Sequence, residues 1–187
     1  MKGFSIFELS LAITILIFIF FSLIYLILNI SNFNSYFIFG LGYYQEAALF
    51  LKEVEKELKS MEDSNIGGYP LEEALNQKLT FYSDIDKDNL VEKISYFIEN
   101  NTLKKEIISP TGSPLKYDDL KTKTRIIIKE LPAPQNIFYY YDKDFNTTSD
   151  ISKIKIIKVN IKVFTSNKKD SFFENYILVT PRNLKER

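Results

Sequence analysis

The chain contains no cysteine and no histidine. Without thiols it can close no disulfide and hold no thiolate nucleophile, and without either residue it cannot build a Cys/His zinc site or a histidine-based triad. Net charge is lacking as well: 24 Lys and Arg balance 24 Asp and Glu. No single-signed field therefore marks nucleic acid or acidic lipid as an obligate partner. Proline is absent from residues 1 to 60, which removes the commonest cause of a kink in a helix there. No glycine-rich phosphate loop is present either, because Gly67-Gly68 lies in no strand-to-helix context. The remaining acids are scattered through amphipathic patterns as solvated faces. An enzyme would have no site to stand on, and no cofactor is expected beyond one candidate cation loop.

What the chain does have is an apolar start. Twenty uncharged residues run from Leu9 to Leu28, LSLAITILIFIFFSLIYLIL. At about 1.5 Å per residue they span roughly 30 Å, the thickness of a bilayer's hydrocarbon core. A cleaved secretory signal would carry a shorter apolar region followed by small residues, whereas Asn29-Ile30-Ser31-Asn32 follows here, so the stretch is expected to stay as an anchor. Lys2 precedes it and the next basic residue is Lys52, a bias that places the amino terminus in the cytoplasm and the rest outside. Glu8 stands immediately before the run. An ionised acid costs about 2.5–3.5 kcal/mol at a bilayer centre, and a plain anchor has no use for one there.

Met1-Lys2-Gly3, the aromatic Phe4, Glu8 as the fifth residue from Phe4, and the unbroken apolar helix together resemble the leader of type IV pilins and type II secretion pseudopilins. The resemblance implies that a prepilin peptidase cuts between Gly3 and Phe4 and methylates the amine of Phe4. It further implies that Glu8 neutralises that amine on a neighbouring subunit. The physics agrees: an amine and a carboxylate are each costly alone in low dielectric and tolerable together, so pairing across subunits favours assembly and sets a stagger. Two departures stand out. Ser5-Ile6-Phe7-Glu8 replaces the frequent Thr-Leu-Ile-Glu, and the proline that many major pilins carry along this helix is missing.

Beyond the leader (residues 1–3) and the membrane and assembly segment (4–28), residues 29–66 read as an extracytoplasmic continuation of the helix and residues 67–187 as a β-rich head. Gly40 and Gly42, among aromatics from Phe33 to Tyr44, leave two readings open: a bend near Gly40, or a continuous helix whose glycines admit a close neighbour. Ala48, Leu51, Val54, Leu58 and Met61 form a helical stripe with Glu53, Glu55, Lys56, Glu57 and Lys59 on other faces. Gly67-Gly68 and Pro70 end that helix. A helix from Ser5 to Met61 would be roughly 85 Å long.

The head is predicted as a sheet. Residues 71–78 read as a short helix or a loop. Strands are expected at 79–85, 90–98 and 102–108, joined as two hairpins by Asp86-Lys87-Asp88-Asn89 and Glu99-Asn100-Asn101. Further strands are expected at 124–131, 136–141, 154–164 (with a bulge between Ile156 and Ile157 where the alternation slips) and 172–180. The fold class is therefore α+β, a long N-terminal helix packed on an antiparallel sheet. The FYSDIDKDN hairpin, the segment Phe138-Tyr139-Tyr140-Tyr141-Asp142 and the closing Pro181-Arg182-Asn183-Leu184 resemble the J-type, or W-type, minor pseudopilins. That likeness implies a place at the filament tip as an initiator.

Asp84, Asp86 and Asp88, with Asn89 next, match the first half of a calcium loop. The second half fails, since Ser95 stands where a bidentate Glu belongs and Asn89 where glycine belongs. Lys153, Lys155, Lys158 and Lys162 form a modest basic stripe of the kind a DNA-uptake pilus would use. The expected partners are the prepilin peptidase, other pilins or pseudopilins, an inner-membrane assembly platform and membrane lipid. The rival reading is a single-pass membrane protein whose outer domain binds a ligand or partner.

Overall fold

A computed structural model describes the backbone of residues 5–133, 135–165 and 171–185, and among these the side chains of all but 31–40 and 185. Helix α1 runs unbroken over Ile6–Lys59. At about 1.5 Å per residue it is roughly 80 Å long. It passes through Gly40 and Gly42 as helix, so of the two readings of these glycines the bend is not the one adopted. A Cβ at Gly42 would meet nothing within 4 Å.

The helix ends at Lys59, before the glycine pair, because Ser60 caps it. The Ser60 N–H donates to the carbonyls of Lys56 and Glu57, and its hydroxyl lies 2.8 Å from that of Ser83. Met61 then bridges to Ser83, which turns the chain directly from helix to sheet edge. Gly67 acts only in the turn that follows, at φ 82°, a conformation glycine adopts without strain.

Among the described residues ten strands follow: β1 (Leu71–Ala74), β2 (Lys78–Ser83), β3 (Glu92–Glu99), β4 (Thr102–Ile108), β5 (Pro110–Thr111), β6 (Lys116–Tyr117), β7 (Lys123–Ile128), β8 (Phe138–Tyr141), β9 (Ile156–Phe164) and β10 (Phe172–Val179). A final turn of helix, α2, spans Arg182–Lys185. The strands form an antiparallel five-stranded sheet ordered β1-β2-β3-β4-β7, an antiparallel three-stranded sheet ordered β10-β9-β8, and the β5-β6 hairpin. Residues 71–78 thus begin with a strand rather than a helix or loop, paired with β2 through Leu71 and Phe81. The meander β2-β3-β4 forms as expected. Its second turn closes on Asn100 and Asn101, both at positive φ (49° and 57°), the two-residue geometry that matches strand twist.

Two further expectations fail in detail. No bulge interrupts β9: its register with β10 runs from Ile157 opposite Val179 to Phe164 opposite Phe172 without a shift, and Ile156 still faces Tyr141. Ile156 and Ile157 lie on opposite faces, and both are buried. The helical stripe also differs, for Ala47 and Phe50 are buried with Leu51, Val54, Leu58 and Met61, while Ala48 is exposed. Packing against two sheets widens the buried face by one residue on the Ala47 side.

The core lies between this half of α1 and both sheets, and joins Leu79, Phe81, Ile94, Tyr96, Leu103 and Ile128 to Phe138, Ile157, Val159 and Ile161. The sheets meet where Ile137 and Phe138 donate their N–H groups to the Asn76 carbonyl and the Tyr140 hydroxyl donates to the Leu75 carbonyl.

Candidate functional site: one helix, half bare and half docked

The first turn of α1 is built by Ser5 and Glu8. The Ser5 hydroxyl accepts from the Phe7 N–H at 3.3 Å, and the Glu8 carboxylate accepts from the Ser5 N–H at 2.9 Å. This reciprocal capping box satisfies two amides that the helix itself leaves unpaired. A carboxylate at this end also faces the positive pole of the helix dipole. Glu8 is exposed, and among the described residues it is bonded within its own turn. Gly3 and Phe4 lie outside the described residues.

Residues Ile6–Ile30 are long and apolar enough to cross a membrane, and none of that span is buried against the rest of the chain. Twenty-five residues rise about 37 Å, sufficient for a bilayer core with some tilt. Polar side chains inside the span turn back on the helix: Ser10 donates to the Phe7 carbonyl and Thr14 to the Ser10 carbonyl, both at 2.9 Å. Such back-bonding removes the cost of an unpaired hydroxyl in hydrocarbon.

The docked half carries a buried charge cluster. Lys105, 2% exposed, donates from Nζ to Glu57, itself 6% exposed, and to Glu53 at 2.8 Å. Arg125 holds both Glu53 oxygens at 2.6 and 2.7 Å. The Tyr96 hydroxyl donates to Glu57 at 2.8 Å. Burial pushes the Glu57 carboxyl up, against the pull of Lys105, and the Glu53 charge adds to the rise. Burial also opposes ionisation of Glu53, but the hydrogen bonds and charges of Lys105 and Arg125 outweigh it and hold that carboxyl below its ordinary range. Burial and the charge of Glu57 push the Tyr96 phenol upward, so it stays a donor. Sequence reading placed Glu53 and Glu57 on solvent faces. The missed signal is in β4, where Leu103 and Lys105 stand two apart and so share a face opposite Ile98 and Tyr96. A lysine between inward positions needs an acid from the element packed on it.

The three aspartates do come together, with one carboxylate oxygen from each of Asp84, Asp86 and Asp88 within 4.8 Å of the others. These oxygens already serve the turn. Asp84 accepts from the N–H groups of Lys87 (2.6 Å) and Asn89 (3.1 Å), Asp86 from Asp88, and Asp88 from Leu90. Lys87 and Asn89 hold φ of 65° and 69°, and the carboxylate bonds stabilise that unusual backbone. Ser95 is inside β3, bonded to Thr80 at 2.9 Å, so the position that would close a calcium loop belongs to the sheet.

The four lysines do not form one free stripe. Lys153 pairs with Asp150, and Lys155 donates to the Leu184 carbonyl at 2.6 Å. Lys158 lies over the rings of Tyr139 and Tyr176, and Lys162 over Phe172. The closing Pro181-Arg182-Asn183-Leu184 ties the end of the sheet to the end of the helix: Asn183 donates to the Met61 carbonyl at 2.7 Å, and Leu184 is fully buried. Comparison of the chain with protein-family models and with curated proteins returns no match.

Proposed function

We propose that this chain is a structural, non-enzymatic subunit of a pilin-type filament, a minor pilin or pseudopilin held in the inner membrane until assembly. One observation carries the reading: a single unbroken helix, Ile6–Lys59, leaves its apolar first half bare and docks its amphipathic end on an antiparallel head. The bare half suits two successive environments, lipid before assembly and neighbouring helices after it. Gly42, with open space around it, offers a place for such a neighbour to approach.

On this reading a prepilin peptidase cleaves after Gly3 and methylates Phe4. Glu8 then exchanges its bond to the Ser5 N–H for the amine of an adjacent subunit. The exchange replaces a neutral donor with a charged one, which is the stronger bond in low dielectric. The head stays on the far side of the membrane, and a tip position follows from the likeness to the J-type group.

The test is intact and amino-terminal peptide mass spectrometry on protein recovered from cells with an active prepilin peptidase, beside Gly3→Ala. The expected result is a mature chain starting at methylated Phe4, with processing lost in the variant. A chain still beginning at Met1 would end the filament reading in favour of a membrane-anchored binding domain.

A further inference from the structure

The triplet Asn-x-Ser/Thr is the acceptor of N-linked glycosylation, and it serves as one from a surface loop of an exported domain. The chain holds it three times, as Asn29-Ile30-Ser31, Asn100-Asn101-Thr102 and Asn146-Thr147-Thr148. The fold treats the three differently. Asn29 lies within the apolar span of α1, and its side-chain amide donates to the Tyr25 carbonyl at 2.8 Å. A bilayer around that turn shuts it off. Asn100 sits in the two-residue turn between β3 and β4, with Asn100 and Asn101 at φ 49° and 57°. Thr102 already faces Glu99 in the ladder, and the Asn101 carbonyl accepts from the Leu131 N–H at 2.7 Å. Extending that triplet would take apart one end of the meander.

Asn146 stands on the connection from β8 to β9. The Tyr44 ring meets the Phe173 ring at 4.7 Å, and Asn183 reaches Met61, so β10 runs the same way as the helix, away from the apolar span. Strand β9 is antiparallel to β10 and β8 antiparallel to β9. The connection that leaves β8 therefore lies at the end of the head farthest from that span. Phe145, at φ 62°, turns the chain there, and Asn146 and Thr147 are exposed. The turn is held by one carboxylate: Asp142 accepts from the N–H groups of Asp144 (2.8 Å) and Asn146 (2.9 Å) and from the Asn146 side-chain amide (3.3 Å). Water can replace bonds on an exposed turn, so this triplet can open while the sheets stay closed. Asp144 stands two residues ahead of Asn146, exposed, where Asn29 and Asn100 have Ile27 and Ile98. Its charge gives a cationic group of a transferase something to hold beside this triplet and neither of the others.

We propose that Asn146 is the acceptor of an N-linked oligosaccharide, supplied on a polyprenyl diphosphate and moved by a membrane transferase that faces the same side as the head. The Nδ2 atom of Asn146 attacks the anomeric carbon of the first sugar. A C–N bond forms, the C–O bond from that carbon to the diphosphate breaks, and the proton lost from Nδ2 leaves with the polyprenyl diphosphate. Nothing is oxidised or reduced. Only the placing of the head outside the membrane is borrowed from the filament reading. At the far end of the head the oligosaccharide meets solvent, clear of the bilayer and of the docked helix.

Trypsin separates the three triplets: Asn146 falls in the peptide 144–153, Asn100 in 94–104, and Asn29 in the one ending at Lys52. The full-length chain is made in cells that carry an oligosaccharyltransferase and its polyprenyl-linked oligosaccharide, with a second acceptor protein as proof of supply, and its peptides are weighed. Peptide 144–153 should gain the mass of the oligosaccharide and the other two should not. The gain should vanish in Asn146→Gln and in Thr148→Ala, persist in Thr148→Ser, and fall in Asp144→Asn. A second measurement fixes the side of the head: in a chain without cysteine, Leu120→Cys, at a position 95% exposed, is offered a maleimide that cannot cross the inner membrane. An unmodified 144–153 with Cys labelled would overturn the proposal and leave the head outside, as the filament reading has it. An unmodified peptide with no label would remove both. Oligosaccharide on 94–104 in place of 144–153 would overturn the choice of Asn146.

Discussion

Two stretches of α1 share a backbone and little else. Residues 6–30 have no side chain buried against the chain. Further along, Ala47, Phe50, Leu51, Val54 and Leu58 are each at most 3% exposed. Each of the larger of these contributes about 1.5–3 kcal/mol by leaving water. The first stretch is apolar all round and draws its stability from whatever surrounds it. The second has one face matched to the sheets and an ion pair set into that face. Continuity of helix is thus no guide to continuity of environment, and the two halves should respond separately to mutation.

The largest separation is expected at Lys105. Lys105→Met leaves Glu57 buried without its cation, which costs about 3–5 kcal/mol. The midpoint of head unfolding, followed by near-ultraviolet circular dichroism in detergent, should fall by about 10 °C. Adding Glu57→Leu should recover most of the loss, because an apolar pair of similar volume needs no compensation. A double variant as unstable as the single would mean that the cluster is not a coupled pair.

On the other side of the comparison, Phe18→Arg puts a charge near the middle of the apolar span at a cost of about 2.5–3.5 kcal/mol for insertion. Resistance to carbonate extraction from membranes should drop, while head unfolding stays within about 1 °C of the parent. A shifted head transition would show that the halves are coupled after all.

The pH response sharpens the same contrast. The raised Glu57 carboxyl favours the folded state at low pH, and that contribution is lost as pH rises through its raised value. The lowered Glu53 carboxyl stabilises above the ordinary carboxylate range, and its contribution is lost as pH falls through its lowered value. The two oppose each other. Glu57→Gln should therefore make head stability climb more steeply between about pH 4 and 7, by about 1–2 °C over that range. An unchanged slope would sink the assignment.

Smaller still is the effect of the first turn: Ser5→Ala removes a cap worth about 1 kcal/mol. Amide exchange should quicken at Phe7 and its neighbours and nowhere in the head. The acidic turn gives the weakest response. Calorimetry with millimolar calcium is expected to show no heat, since the carboxylates of Asp84, Asp86 and Asp88 already accept backbone N–H groups.

Much of the architecture was readable because its signals are local. The apolar run, the turn residues Asn100-Asn101 and the alternation in β3 each act within a few residues. The docked stripe was read only in part, because its width depends on a second sheet, β8-β9-β10, arriving from far along the chain. The same reason hid the pairing of Glu57 with Lys105, 48 positions apart. Slippage of the pattern at Ile156 and Ile157 suggested a bulge, but burial on both faces of β9 makes two adjacent isoleucines compatible with a regular strand. Of the candidate site, Glu8 and the aspartate turn were legible as motifs. What each already bonds to was not, since capping and turn geometry depend on coordinates rather than spacing.

The direction of β10 has a mechanical side. It runs alongside the helix, with Phe173 against Tyr44 near its start and Val179 a few residues before the tie from Asn183 to Met61. A pull applied along the helix axis would load the bonds between β9 and β10 in shear, so that eight cross-strand pairs resist together instead of opening one after another. A head attached in this way would hold tension along the helix axis far better than tension across it.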